Sequence, residues 1–382
     1  MHALVTAPIP SHPQNHGNRA RVYAVCKELQ ARGYQVHYVY SGLEGLSDEQ
    51  EQAMRDTWEH VYVLPKEKLV RKQSRRGHYL IDDWYPPAVT DITNRILSIW
   101  DIKLCVANYV WLSAWLEQVP AHIPRYIDTH DVFGNRHKAL KRDGIKPSWF
   151  YTTPKEEAKA LARASTVLAI QDEEAETFRK LTKTPVRTLG FFDSPRFLPT
   201  RPVPEADRKL RVGYIASDNP INTNALSGLC TQLAKQPAIR ENCELILAGP
   251  ICSTEPAQNE MFTRLGYVPS ISGFYGDMDL ILNPNIGGTG LKIKSVEALS
   301  FGRALVATKD AMTGIPTSHN LHACETIEGL VDGLSRLATK REDIKKLEQA
   351  GQQSYLAYQQ AQTDTLDVIF PRVGVKTEAG NG

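Results

Sequence analysis

No stretch of this sequence approaches the ~20 consecutive apolar residues that a bilayer-crossing helix requires, so no membrane span is predicted. Net charge is nearly absent too. The 45 Lys and Arg against 43 Asp and Glu leave a formal +2, too little for a global field that recruits nucleic acid. The 6 cysteines (Cys26, Cys105, Cys230, Cys243, Cys252 and Cys324) are scattered, with no CxxC pair. Most have apolar neighbours, which predicts reduced core residues rather than disulfides or zinc ligands. No HExxH pattern and no clustered carboxylates accompany the histidine of residues 128–136, so no metal site is expected. The opening MHALVTAP has neither a basic start nor a long apolar run. No cleaved leader is expected, and the expected compartment is the cytoplasm.

What is present fits a soluble α/β protein. A hydrophobic share of 42% with 23% charged residues is ordinary for a globular chain, and 382 residues give room for two domains. Apolar strands are predicted at 2–7, 35–40, 60–64, 103–107, 125–128 and 166–170, with a helix over 17–32 stopped by Gly33. Strands separated by helices imply a parallel, doubly wound sheet. Between 190 and 209 this pattern breaks, and residues 191–205 hold four prolines with no apolar period. A second alternation begins at Leu210. The expected organisation is a Rossmann-like domain over 1–193, a linker over 194–209 and a second Rossmann-like domain over 210–355. A final helical segment over 356–372 is expected to cross back to the first domain.

Residues 287–308, GGTGLKIKSVEALSFGRALVAT, concentrate the chemistry. Gly287, Gly288 and Gly290 permit positive φ and a close ligand. A helix is predicted from Leu291 to Phe301, ended by Gly302. Its first turn leaves N–H groups unpaired, and its dipole favours an anion there. Lys292 and Lys294 stand at this end, where the dipole disfavours cations by about 0.3–1 kcal/mol each. A bound diphosphate offsets that repulsion. Glu297, a turn further on, is placed to accept hydrogen bonds from vicinal hydroxyls such as those of ribose. The alternative is a plain loop and a surface helix with solvated lysines.

Residues 288–297, with the AL, G and ALVAT that follow, resemble the donor-site motif of GT-B glycosyltransferases. The pattern is most similar to the retaining glycosyltransferase family 4 (glycosyl transferases group 1). The resemblance implies two Rossmann-like domains facing an interdomain cleft. It implies diphosphate and nucleoside contacts from Gly288, Thr289, Gly290, Leu291, Lys292 and Lys294, with Glu297 on the ribose. The position eight residues before Glu297, acidic in many members, is Thr289 here. Many members also place a basic pair near the first strand–helix turn of the second domain. Residues 213–224 contain none, so the charge falls to Lys292 and Lys294, with backbone N–H groups near Ser217.

Three further segments complete the expectations. The loop after the first strand leads to Gly17, and the resemblance implies that Gly17 and Arg19 approach the donor phosphates or the acceptor. Asn18 and Arg21 are further anion candidates there. The alternative is capping by Asn15 or Asn18 with solvated arginines. Residues 128–136, DTHDVFGNR, follow a strand at its carboxyl end. His130, then Asp131, are the candidate catalytic residues, against a purely structural histidine. Residues 66–76 hold six basic side chains against one acid. They read as a contact for anionic lipid or a phosphorylated acceptor, or as a solvated segment.

The expected function is metal-independent transfer of a sugar from a nucleotide sugar, such as a UDP- or GDP-sugar, to a hydroxyl acceptor, with no resident cofactor. The rivals are a nucleotide-sugar epimerase, a DNA-modifying glycosyltransferase and a non-catalytic nucleotide-sugar binding module.

Overall fold

The computed structural model describes residues 1–14, 16–65, 71–142, 146–147, 149–205, 207–287 and 291–373. The chain forms two compact units. One comprises Met1–Phe191 with the chain from Gln362 onward, and the other comprises Phe192–Ala361.

The first unit alternates strand and helix: β1 His2–Ala7, α1 Gly17–Ala31, β2 Gln35–Tyr40, α2 Asp48–Thr57, β3 His60–Val63, α3 Ala88–Ile99, β4 Ile102–Asn108, β5 Arg125–Asp128, α4 Arg136–Arg142, α5 Pro154–Leu161, β6 Thr166–Ala169, α6 Asp172–Leu181 and β7 Val186–Thr188. The strands form one sheet in the order β3-β2-β1-β4-β5-β6-β7. Every pair is parallel. The central strands are almost wholly apolar because helices cover both faces, as in Leu4, Val5, Val36, Val106 and Ile127.

The second unit repeats the plan with β8 Leu210–Ile215, α7 Pro220–Ala234, α8 Ala238–Asn242, β9 Cys243–Ala248, β10 Phe262–Gly266, α9 Ile271–Asp277, β11 Leu280–Asn283, α10 Ile293–Ser300, β12 Leu305–Ala307 and α11 Ile327–Thr339. Its parallel sheet runs β10-β9-β8-β11-β12. Leu226, Leu229, Leu245, Leu282 and Leu334 are among the side chains of its core.

Both sheets reverse direction of winding beside their first strand, between β1 and β4 and between β8 and β11. In open parallel sheets ligands gather at the carboxyl ends of strands at such a point. That rule selects the loops after β1 and β4, and those after β8 and β11.

The proline-rich segment ahead of β8 forms no helix or strand, yet it is tied to the second unit. Arg196 N–H donates to the Ser300 carbonyl at 2.8 Å and Leu198 N–H to Phe301 at 3.0 Å. The Arg196 guanidinium lies 4.3 Å from the centre of the Phe301 ring. The last helix, α12, is continuous over Glu342–Ile369. Its later part is anchored in the first unit, where Tyr126 Oη donates to the Ile369 carbonyl and Arg32 to that of Phe370 at 2.7 Å. All six cysteines are free thiols. Among the described residues no helix is long and apolar enough to cross a membrane.

Candidate functional site

In the second unit, the site is built by the turns after β8 and β11. Asn219 caps α7, its side chain accepting from Asn222 N–H at 3.0 Å, with Pro220 in the first turn. This cap aims the Asn222 side chain back at the loop. Its Nδ2 donates to the Ser217 carbonyl at 2.9 Å and to Ser217 Oγ at 3.1 Å. Its Oδ1 accepts from Asn285 Nδ2 at 3.0 Å and from Lys294 Nζ. Lys294 also reaches Asn285 Oδ1 at 3.3 Å and lies 5.3 Å from the centre of the Tyr214 ring. Ser217 and Lys294, far apart in sequence, thus share one asparagine.

Lys294 is a lysine whose partners are all neutral. Among the described residues, no carboxylate pairs with it. Burial, and secondarily the like charge of Lys292, push its pKa down to about 7. A desolvated amine held against amide oxygens and an aromatic face is poised to take up a proton and become cationic when an anion arrives. Lys292 is at the N-cap position of α10 and is 9% exposed. Leu291 is buried beside it. The helix starts at Ile293, two residues later than the sequence predicts, because Lys292 has the non-helical ψ of 86°. Gly302, with φ +69°, ends the turn that follows α10. Gly288, Thr289 and Gly290 lie outside the described residues. Gly287, just before them, has φ +67° and donates its N–H to Asp310 at 2.6 Å.

Glu297 sits one turn into α10 and accepts from Tyr275 Oη at 3.0 Å. Burial raises its pKa, while the Tyr275 bond and Arg196 work against that rise. One carboxylate oxygen is therefore fixed by protein, and the group is oriented before any ligand binds.

The first unit handles charge differently. Arg21 on α1 and Asp128 at the end of β5 are 1% and 0% exposed. Arg21 Nε lies 2.9 Å from both carboxylate oxygens and Nη2 lies 2.7 Å from Oδ1. Arg21 is not a solvated side chain but half of a buried ion pair. Arg19 donates to Glu44 at 2.6 Å through Nη2 and 3.1 Å through Nε. Gly17 is exposed at the start of α1. Asn18 donates its amide to Tyr109 Oη at 3.1 Å. The alternative cap, Asn15, is outside the described residues.

His130 has φ +62° and stacks on Tyr109, itself at φ +70°, with ring centres 4.2 Å apart. Two adjoining non-glycine residues in the left-handed region mark a place where the fold accepts strain. The hydrogen-bond pattern assigns the tautomer of His130. Asn108 Nδ2 donates to the Thr6 carbonyl at 3.0 Å, so its Oδ1 faces His130 Nε2 at 2.9 Å. Nε2 then carries the proton and Nδ1 keeps a lone pair. Burial pulls the His130 pKa down to about 4, against the opposing pull of Asp128. The ring is a neutral acceptor at physiological pH. Asp131 pairs with Arg136 at 3.2 Å.

Sequence reasoning missed the residues that orient this end. Glu157 is fully buried, accepts N–H groups of Phe133 and Gly134 at 2.7 and 2.9 Å, and has its pKa raised to about 7 by burial. Glu174 is 4% exposed, and among the described residues no side chain pairs with its carboxylate, which has only a weak backbone contact from Ile170. Asn222 and Asn285 were also missed, because asparagines beside prolines read as turn and cap residues. Of the basic run, 66–70 lie outside the described residues. Arg71 donates to the Leu43 carbonyl at 3.0 Å and lies over Trp84, and residues 71–77 are exposed. One group of metal-capable side chains emerges that the scattered sequence did not predict, His2, His37 and His60.

Residues 210–340 match the family Glycosyl transferases group 1. No curated protein matches the chain. Among solved structures, Anabaena HepE in complex with UDP is 14% identical, with a TM-score of 0.65 over 96% of this chain and 100% of that one. Sucrose-phosphate synthase from Thermosynechococcus elongatus is 13% identical, with a TM-score of 0.66 over 96% of this chain and 98% of that one. TarM is 10% identical, with a TM-score of 0.68 over 97% of this chain and 99% of that one. These similarities establish the fold as GT-B, with two parallel sheets flanked by helices.

Proposed function

We propose that this GT-B chain, whose second unit matches the group 1 glycosyl transferases over residues 210–340, moves a sugar from a nucleoside diphosphate to a hydroxyl acceptor with retention of configuration. The observation that carries the proposal is Lys294, a desolvated cation at the start of α10 with only amide oxygens and an aromatic ring around it. A diphosphate supplies the missing charge. As the glycosidic bond breaks, the leaving diphosphate gains negative charge, and Lys294, Lys292 and the N-terminal amides of α10 stabilise it. These groups supply the positive charge without a divalent ion. Glu297, steadied by Tyr275, takes the ribose hydroxyls. His130 Nδ1 accepts from a sugar hydroxyl, with Asp131 beside it. Gly17 and Arg19 border the same reaction, Arg19 by exchanging Glu44 for an anionic ligand. The complexes of HepE with UDP and with UDP-glucose support a uridine donor. The exposed basic residues 71–76 suit an anionic acceptor or lipid headgroup. If so, neutralising them abolishes sedimentation with anionic vesicles.

The deciding measurement is a thermal-shift screen against UDP, GDP, ADP, CMP and their sugars. One nucleoside diphosphate is expected to raise Tm in the wild type and to lose that effect in Glu297→Ala. A screen with no shift from any diphosphate would overturn the reading. Product analysis with donor alone then separates transfer from epimerisation, which needs no acceptor.

A further inference from the structure

Three histidines with no common motif meet at the amino-terminal edge of the first sheet. His2 opens β1, His60 opens β3 and His37 lies on β2 between them. The parallel register explains the meeting. His37 pairs directly with His60, while His2 pairs with Gln35, two residues before His37 and on the same face. One ligand nitrogen from each imidazole lies within 4.8 Å of the others. His2 Nδ1 and His37 Nε2 are 3.0 Å apart. Tetrahedral zinc with Zn–N bonds of about 2.0–2.1 Å needs nitrogens roughly 3.3 Å apart, close to this spacing.

The surroundings are those of a metal centre. His37 is fully buried, its Nδ1 lies 3.2 Å from Tyr62 Oη, which orients the ring, and its Nε2 shares a hydrogen bond with His2 Nδ1 that an ion would replace. His60 stacks on His37 with ring centres 4.2 Å apart, and its ring nitrogens make no hydrogen bond among the described residues. The Trp100 ring stands 4.9, 5.1 and 4.7 Å from the rings of His2, His37 and His60, an apolar wall on the cluster. Asp101 and Glu59 lie near His2 and add negative potential, against the larger opposing effect of the positively charged chain amino terminus.

We propose that His2, His37 and His60 form a binding site for a divalent transition metal of the zinc class, held by three neutral imidazoles with a fourth position open to water. Nitrogen-only donors suit zinc, cobalt, nickel or copper and disfavour magnesium and calcium. The site joins β1, β2 and β3 at the strand ends opposite those that carry Asn108 and His130. It is a separate site from the proposed donor pocket, and its occupancy is not required for the reading above.

The test uses the full-length, untagged protein, stripped with chelator and dialysed. Zinc chloride titrated against a competing chromophoric chelator is expected to fill one equivalent of site. Cobalt in its place should give the intense visible absorption of a tetrahedral centre. His2→Gln and His60→Gln, both at half-buried positions, should each weaken zinc binding by at least about 100-fold while circular dichroism stays unchanged. A wild-type chain that takes up no stoichiometric zinc, or variants that bind it as the wild type does, overturns the proposal. The cobalt spectrum keeps the test decisive if a variant misfolds, since it needs only the wild type.

Discussion

The two strand-end sites treat their cations in opposite ways. At the strand-end site of the first unit three arginines are answered by acids: Arg21 by Asp128, Arg19 by Glu44, Arg136 by Asp131. In the second unit Lys294 is answered only by the amide oxygens of Asn222 and Asn285. Charge that is balanced internally holds a fold in place, whereas charge left unbalanced in a desolvated pocket is available to a ligand. The acids left over are in the first unit as well. Among the described residues neither Glu174 nor Glu157 has a side-chain partner, and Glu157 accepts only backbone N–H groups. The first unit's polar end is therefore a rigid, charge-paired frame around a neutral histidine, and the second unit's is a cationic socket.

The comparison breaks most visibly if the Arg21–Asp128 pair proves dispensable. Arg21→Met leaves a fully buried carboxylate whose nearest remaining side-chain partner among the described residues is His130 at 3.8 Å. Removing one member of a buried pair costs about 3–5 kcal/mol, so a large drop in the urea midpoint is expected. The double variant Arg21→Met with Asp128→Leu should recover most of it, because an apolar pair of similar volume needs no desolvated charge. A single variant as stable as the wild type would mean that the pair contributes nothing to the frame.

Lys294→Met probes the other side. Stability should hold or rise, since the fold loses a disfavoured charge. Affinity for a nucleoside diphosphate should fall by about 2–3 kcal/mol, roughly 30- to 150-fold, the worth of a charge-assisted contact to phosphate. The wild type carries a second signature. With the Lys294 pKa near 7, most of the unliganded protein is neutral there at pH 8, and a diphosphate draws the proton back. Calorimetry in buffers of different ionisation enthalpy should therefore find proton uptake of up to about one per ligand at pH 8, shrinking toward pH 6. Uptake that persists in Lys294→Met would assign the proton elsewhere.

Much of this was legible in the sequence, and the parts that were not share a physical reason. Buried strands such as β1, β2, β5 and β8 stand out as apolar runs because both faces are covered. The edge strands β7 and β10 do not, since an edge position leaves Arg187, Thr263 and Arg264 facing water. Lys292, Lys294 and Glu297 can be singled out as candidates from the sequence because one local loop and helix carry all three. Asn222 and Asn285, which hold Lys294, are 63 residues apart and read as turn residues. The Arg21–Asp128 pair spans 107 residues and the His2–His37 contact 35. No local pattern encodes such pairings. They follow from strand order, which places distant segments side by side only after the sheet has formed.

The smallest effect tests the surplus acid of the first unit. Burial first, then the nearby charge of Asp131, raises the Glu174 pKa from 4.5 to about 8. The folded state therefore keeps a proton that the unfolded chain releases. Between about pH 4.5 and 8 the native protein binds more protons, so this group's contribution to stability falls as pH rises and levels off above 8. Glu174→Gln removes the titration while keeping the shape. Its stability relative to the wild type should be near zero at pH 5 and widen to about 1–3 kcal/mol in its favour by pH 9, read from urea midpoints at each pH. Glu157, raised to about 7 and held by two N–H donors, contributes a slope of the same sign that remains in the variant. A difference independent of pH would mean that Glu174 is ionised in the native protein, with a compensating cation beside it. The first unit would then be as closely balanced in its acids as in its arginines, and the contrast with the second unit would rest on Lys294 alone.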